Sequence, residues 1–184
     1  MAPKSTMFKV NLSVADITRN YYEDHSLNIA RHPSETDLRM MIRVIAFALN
    51  AHEHLACGRG LSTTEEPDLW QKDLTGAITH WIDLGQPAEK GIRQACGKSE
   101  RVSIYTYQKG AALPWFEEVK CRLERFDHLR IVHLVVKNES LVERLVTRTM
   151  HLNCTIEDDQ LMLSNGTDMI IVEMTIAKDF QSKY

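Results

Sequence analysis

The sequence predicts an α/β fold, a single domain over residues 1–184 built on a mixed central β-sheet flanked by helices. Three observations predict it. Segments at both ends alternate apolar and polar residues, as half-buried strands do. One long segment repeats apolar residues at three- and four-residue steps, as a helix does. Through the middle, helix-like and strand-like segments interleave, which implies some parallel pairing, while the terminal hairpins imply antiparallel pairing.

Phe8, Val10, Leu12 and Val14 alternate with Lys9, Asn11 and Ser13 and predict a first strand. Asp16 to Asn20 reads as a turn, and Tyr21 to Ala30 as the returning strand. In His32-Pro33-Ser34-Glu35-Thr36-Asp37, Ser34 is the expected helix cap, with Asp37 three places on. The helix is expected to run to about His54, burying Leu38, Met41, Ile42, Ile45 and Leu49. Gly58-Arg59-Gly60 breaks the pattern and Ser62 to Glu66 reads as a polar loop. Leu69-Trp70 and the apolar run Ala77 to Leu84 form the next strand pair across a turn at Gln71 to Gly76. Pro87 opens a short helix to about Cys96, and Val102 to Tyr107 is a strand. Pro114 to Phe126 is an amphipathic helix, followed by Ile131 to Val136, a strand of the kind buried on both faces. Asn138 is expected to cap a helix through about Arg148. Met150, Leu152, Cys154 and Ile156 alternate again, and Asn165-Gly166 is a reverse-turn signal before Ile170, Val172, Met174 and Ile176.

Composition narrows the function classes. With 43% hydrophobic and 26% charged residues, the chain is too apolar for disorder. A formal net charge of −3 excludes the uniformly basic surface of a non-specific nucleic-acid coat, although a local basic patch remains compatible with it. Cys57, Cys96, Cys121 and Cys154 lie far apart and form no CxxC pair, so reduced thiols and a cytoplasmic location are expected rather than a zinc site or a disulfide scaffold. The first residues carry no apolar signal-peptide core, no run approaches the length that spans a bilayer, and no membrane partner is expected.

The chemistry concentrates around Glu65-Glu66-Pro67-Asp68-Leu69-Trp70 and Trp81-Ile82-Asp83-Leu84-Gly85. Asp68 falls at the start of one strand and Asp83 near the end of the next, and two carboxylates on adjacent strands suit a hard divalent cation. Asp83 interrupts an apolar segment, where an ionised group is costly unless paired or bound to metal. Its other reading is a strand's exposed end or a cap for the Pro87 helix. Glu35, Arg39 and Arg43 stand at steps of four and share a helix face. That face is either a solvated ion-pair stripe or one that aims Glu35 into the cleft of Asp68 and Asp83, with Arg39 orienting it or holding a phosphate. His52 and His54 do not point together on a helix. His80 either faces the cleft or lies on the other side of the sheet. Trp70, Trp81 and Trp115 either stack on bases or pack in the core, and Lys109-Gly110 offers a further phosphate contact. No Gly-rich phosphate loop and no GxSxG elbow is present.

Several of these stretches together resemble the YaeQ family of bacterial proteins. His32-Pro33-Ser34-Glu35-Thr36 with Arg39-Met40-Met41-Ile42-Arg43 is similar to its signature helix. Arg59-Gly60-Leu61, Glu66-Pro67-Asp68-Leu69-Trp70, Trp81-Ile82-Asp83-Leu84-Gly85-Gln86-Pro87 and Arg148-Thr149-Met150 follow in the family's order. The resemblance covers essentially the whole chain. It implies a restriction-endonuclease-like fold of the PD-(D/E)xK superfamily, in which Glu35 matches the acid of the first helix, Asp68 the aspartate after proline, and Asp83 the acid of the next strand. In a nuclease of that type these acids would be catalytic. Asp68, Asp83 and the main-chain carbonyl of Leu84 would hold Mg²⁺, or Mn²⁺ as a substitute, for phosphodiester hydrolysis.

The pattern then asks for a lysine where this chain has Gly85. Lys90 or Arg93, within two turns of Asp83, is the expected electropositive replacement. Arg93 is permanently protonated and can only clamp a phosphate, so Lys90 is the better chemical substitute, unless it is simply a solvated surface lysine. Two functions follow as expectations: a metal-dependent nuclease with a variant site, or a catalytically inactive scaffold that binds nucleic acid or a protein of the transcription machinery.

Overall fold

The alternation at the amino terminus does produce a hairpin. β1 (Thr6–Asp16) and β2 (Tyr21–Arg31) pair antiparallel, with Val10, Leu12 and Val14 buried on one face. The computed structural model describes residues 5–59 and 65–181. The segment Met1–Lys4 and most of the expected polar loop at Ser62–Glu66 lie outside the described residues, as do Gly60 and Leu61.

α1 (Asp37–Leu49) buries every residue from Met40 to Ala48. A helix with no polar face has to be surrounded, because any open side would leave apolar surface in water. The sheet surrounds it. β3 (Leu55–Cys57), β4 (Leu69–Lys72), β5 (Ile78–Leu84), β6 (Ser99–Thr106), β7 (Leu129–Val136), β8 (Thr149–Glu157), β9 (Gln160–Ser164) and β10 (Met169–Lys178) join the hairpin in one ten-stranded sheet. Its spatial order is β2-β1-β8-β9-β10-β7-β6-β5-β4-β3, and the edge strands β2 and β3 approach one another, so the sheet nearly closes like a barrel. β1–β8, β5–β6 and β6–β7 pair parallel and the other neighbours antiparallel. The mixed pairing expected from the interleaved order is present.

This geometry corrects the expectation of a sheet simply flanked by helices. α1 lies inside the curve, where its side chains share a core with residues from all ten strands. Among the described residues α2 (Glu89–Lys98) and α3 (Ala112–Leu123) flank, packing Ile92, Ala95, Val119 and Leu123 on the outer face of β5, β6 and β7. β7 serves both cores, with Ile131 in the outer one and Val132 in the inner one.

Other boundaries move for local reasons. Thr36, not Ser34, caps α1, its hydroxyl accepting from the Arg39 N–H at 3.1 Å, while Ser34 bonds His32 instead. The helix ends at Leu49 rather than His54, because Arg19 donates to the carbonyls of Ala48 and Ala51 and Asn50 donates to that of Ala46. That stop frees Leu55–Cys57 to form β3, an unexpected strand. Asn138 makes no side-chain cap, and the helix expected through Arg148 shrinks to a 3₁₀ turn at Glu139–Leu141 and one turn of α4 (Val142–Leu145). Among the described residues all four cysteines are free, and no helix is long and apolar enough to cross a membrane.

Candidate functional site

Glu35 sits in the turn that feeds α1, its carbonyl held at 2.9 Å by the Arg31 Nε–H at the end of β2. One turn and two turns on, Arg39 and Arg43 follow on the same face, as their spacing requires. The face points into the curved sheet, not into solvent. Glu35 is 2% exposed and Arg43 0%. The Glu35 Oε1 accepts from Arg39 Nη1 at 3.0 Å, and its Oε2 from Arg43 Nη2 at 2.5 Å. The reading of a solvated stripe is therefore excluded.

Asp68 reaches this cluster from the start of β4. Gly58 makes the approach possible, since a Cβ there would stand 2.0 Å from the Pro67 carbonyl oxygen, and its N–H bonds the Asp68 carbonyl at 2.9 Å. One guanidinium nitrogen of Arg39, Nη2, lies 2.8 Å from Oδ1 and 3.0 Å from Oδ2 of Asp68. The Leu84 N–H also donates to Oδ2, at 3.0 Å. Leu84 thus serves Asp68 through its N–H. Both aspartate oxygens are occupied.

Asp83 is a neighbour on the other side of the sheet. Leu69 pairs with Ile82, so one residue further Asp68 comes opposite Asp83. Ile82 and Leu84 face the inner core and Trp81 the outer one, and Asp83 shares the phase of Trp81, whose indole N–H donates to its Oδ2 at 2.8 Å. The Asp83 carboxyl is pushed up to about 6, chiefly by burial. The Trp81 hydrogen bond opposes that, the nearby Asp68 charge adds to it, and the Asp68 backbone N–H and the Arg39 charge oppose it. Asp83 caps no helix, since the N-cap of α2 is Ala88 and no side chain caps it.

A cavity of about 480 Å³ opens beside Asp83, lined by Trp81, Lys90, Gln94, Lys98, Glu65 and Glu66 among others. Lys90, Gln94 and Lys98 reach it together because steps of four on α2 share a face. Arg93 does not line it and stands 3.9 Å from Glu89. Of the two expected replacements for the lysine, Lys90 lines the same cavity as Asp83 and Arg93 does not. Gln94 and Lys98 were not anticipated, although their spacing from Lys90 was the available signal.

Gly85, where the resemblance leads to the expectation of a lysine, has a local backbone reason to be glycine. Its φ is +87°, the left-handed region, as the chain leaves β5 with the Gly85 N–H bonded to the Tyr105 carbonyl at 2.9 Å. A lysine there would be strained. His80 lies on the inner face, away from the cavity, 2.8 Å from the Ser103 hydroxyl, and its pKa falls to about 4 through burial and the charges of Arg101 and Arg130. Trp81 packs in the outer core, Trp115 donates to the Pro87 carbonyl, and Lys72 covers the Trp70 ring at 3.6 Å. Lys109 pairs with Glu139. His52 and His54 fall beyond α1, with the His54 N–H donating to the His52 ring.

The fit to a divalent cation follows from these contacts. All four oxygens of Glu35 and Asp68 already accept from guanidinium or backbone N–H groups. Asp83 faces the other way. Among the described residues no group of three or more His, Cys, Asp or Glu side chains is arranged to hold a metal. The acids do not share one hollow, and as arranged they do not fit Mg²⁺.

Comparison with known proteins places the whole chain. The family model described as "YaeQ protein" matches residues 1–174. A YaeQ protein of Escherichia coli (strain K12) is 37% identical over 175 residues, which is 95% of this chain and 97% of that one. The crystal structure of the YaeQ protein from Xanthomonas axonopodis pv. citri superposes with a TM-score of 0.91 at 35% identity, covering 95% of this chain and 99% of the other. That of the YaeQ protein from Pseudomonas syringae gives 0.86 at 30%, covering 97% and 98%. With a family model spanning nearly its full length and relatives this similar, the chain belongs to the YaeQ family.

Proposed function

We propose that the chain is a nuclease-like scaffold of the restriction-endonuclease type that binds the phosphodiester backbone of nucleic acid at the Asp83 cavity and does so without a resident metal. The order of Glu35 before Pro67-Asp68 before Asp83 supports the superfamily assignment. The observation that carries the binding reading is the pair Lys90 and Lys98 on one wall of the cavity, next to an acid pair already neutralised by arginine. Among the described residues neither lysine is in an ion pair. Glu66, on the opposite wall, is offset by Arg59 at 3.5 Å, and Asp83 loses its charge below about pH 6. Residues 89–130, which carry this wall, hold nine Lys and Arg against six Asp and Glu in a chain that is acidic overall. Ammonium groups suit phosphate as point charges.

Fluorescence anisotropy with labelled single-stranded DNA, duplex DNA and RNA, in the presence of chelator, tests this. Lys90→Ala/Lys98→Ala should weaken binding at least tenfold. Wild-type protein that binds none of the three, or a double variant that binds as well as wild type, defeats it.

A second reading, metal-dependent phosphodiester hydrolysis, is favoured by one feature of the cavity that Asp83 and Lys90 both line: burial pushes the Asp83 carboxyl up to about 6, in the range useful for proton transfer. Cleavage in Mg²⁺ or Mn²⁺ that Asp83→Asn abolishes would promote it over the first.

A further inference from the structure

Two carboxylates side by side in a poorly hydrated place repel one another and require a counter-cation. Glu35 and Asp68 are 2% and 8% exposed. Their counter-cation is part of the chain. Arg39 places Nη1 on Glu35 and Nη2 on Asp68, and the two acids raise its pKa against the opposing effect of burial, so it stays protonated at every accessible pH. Arg43 and the Leu84 N–H complete the shell around the four oxygens. A planar guanidinium can bridge two carboxylates with separate nitrogens, which a compact ammonium cannot do.

We infer that Arg39 is a built-in substitute for a divalent metal ion, filling the place between Glu35 and Asp68 and making the scaffold independent of metal. An ion held by coordination dissociates and can be chelated; a covalently attached guanidinium does neither. The acids around it are nonetheless hard oxygen ligands. Removing the guanidinium uncovers the Glu35 and Asp68 carboxylates, a pair that a cation can neutralise. Nothing in this inference depends on nucleic acid binding.

Thermal unfolding of the full chain tests it, in EDTA and then in millimolar Mn²⁺, alongside a Mn²⁺ titration followed by electron paramagnetic resonance. For wild type, the unfolding curves should superimpose and the free-ion spectrum should persist. Arg39→Ala should melt many degrees lower in EDTA and recover at least half of that loss in Mn²⁺. Arg39→Ala/Asp68→Asn, relieved of one bare carboxylate, should melt above Arg39→Ala in EDTA and ignore Mn²⁺. Arg39→Lys, which keeps the charge, should fall between and also ignore Mn²⁺. A folded Arg39→Ala protein that gains nothing from Mn²⁺ overturns the inference. The wild-type titration decides even where Arg39→Ala does not fold: a saturable Mn²⁺ site that Asp68→Asn removes overturns it, and a silent titration supports it. Because no arm contains nucleic acid, a failure here and a failure of the binding reading are separately visible.

Discussion

Glu35 and Arg43 meet where water does not reach, with Oε2 of one 2.5 Å from Nη2 of the other. Arg43 has 0% exposure, and its Nε and Nη1 find no hydrogen-bond partner among the described residues. Its charge therefore depends heavily on Glu35. Breaking a buried pair by removing one partner typically costs about 3–5 kcal/mol, because the remaining charge is left uncompensated. Glu35→Ala should lose that much in urea unfolding at neutral pH. Glu35→Leu/Arg43→Met, which removes both charges, should recover most of the loss. A double variant no more stable than Glu35→Ala would mean that packing, not charge, fixes this corner of the core.

The pH dependence of stability should hide two opposed titrations. The folded pKa of Asp83 is raised to about 6, so the folded state holds a proton that the unfolded state has released. Its contribution is full below the unfolded pKa and is lost as pH rises through about 6. His80 is depressed to about 4, so between there and about 6.5 the unfolded state binds the extra proton, and stability rises with pH. The two slopes largely cancel in wild type between about pH 4 and 6. Asp83→Asn should unmask a rise in stability with pH across that window, and His80→Gln should unmask a fall. Denaturant midpoints collected at a series of pH values show both. Identical profiles for the two variants would contradict the assignment.

Much of this fold could be read from residue periods, because strands and helices bury one face at a time. The amino-terminal hairpin, the closing strands and the two outer helices follow from alternation, helical spacing and the local signals of Pro87 and Asn165-Gly166. What escaped was set by tertiary context. Closure of the sheet around α1 is a long-range property, and the end of α1 is decided by Arg19, a residue from the β1–β2 turn. The burial of the Glu35-Arg39-Arg43 stripe did have a local signal. Met40-Met41-Ile42 and Val44-Ile45 leave the helix apolar on its other sides, so it has no solvated face to offer, and charges on such a helix must be paired inside. The carboxylates were easy to find because their residue types are rare in apolar segments. Their orientation was not, since Asp68 lies just outside β4 and escapes its alternation.

Lys90 and Arg93 should separate cleanly in binding. Lys90 lines the Asp83 cavity, whereas Arg93 leans on Glu89 along α2. Lys90→Ala should weaken oligonucleotide binding and reduce the slope of log K against log salt by about one, as expected for one lost phosphate contact. Arg93→Ala should leave both nearly unchanged. Wild-type affinity should also rise as pH falls through about 6, because protonation of Asp83 removes a negative charge from the cavity. Equal effects of the two substitutions would place the nucleic acid elsewhere.

Gly85→Lys, which supplies the lysine that the proposed nuclease-like reading lacks, should not create a nuclease site. At Gly85 a Cβ would meet nothing within 4 Å, so space is not the obstacle. The obstacle is the backbone, whose φ of +87° is costly for any residue with a side chain, by about 1–3 kcal/mol. Gly85→Ala and Gly85→Lys should therefore destabilise alike in urea unfolding, since the cost lies in the Cβ rather than in the charge. Gly85 follows directly on Leu84, whose N–H donates to Asp68. Relief of the strain by a flip of the Leu84–Gly85 peptide would withdraw the Gly85 N–H from the Tyr105 carbonyl, which it bonds at 2.9 Å. Gly85→Lys that is as stable as wild type would show that the turn accepts a side chain and that the backbone is not what favours glycine there.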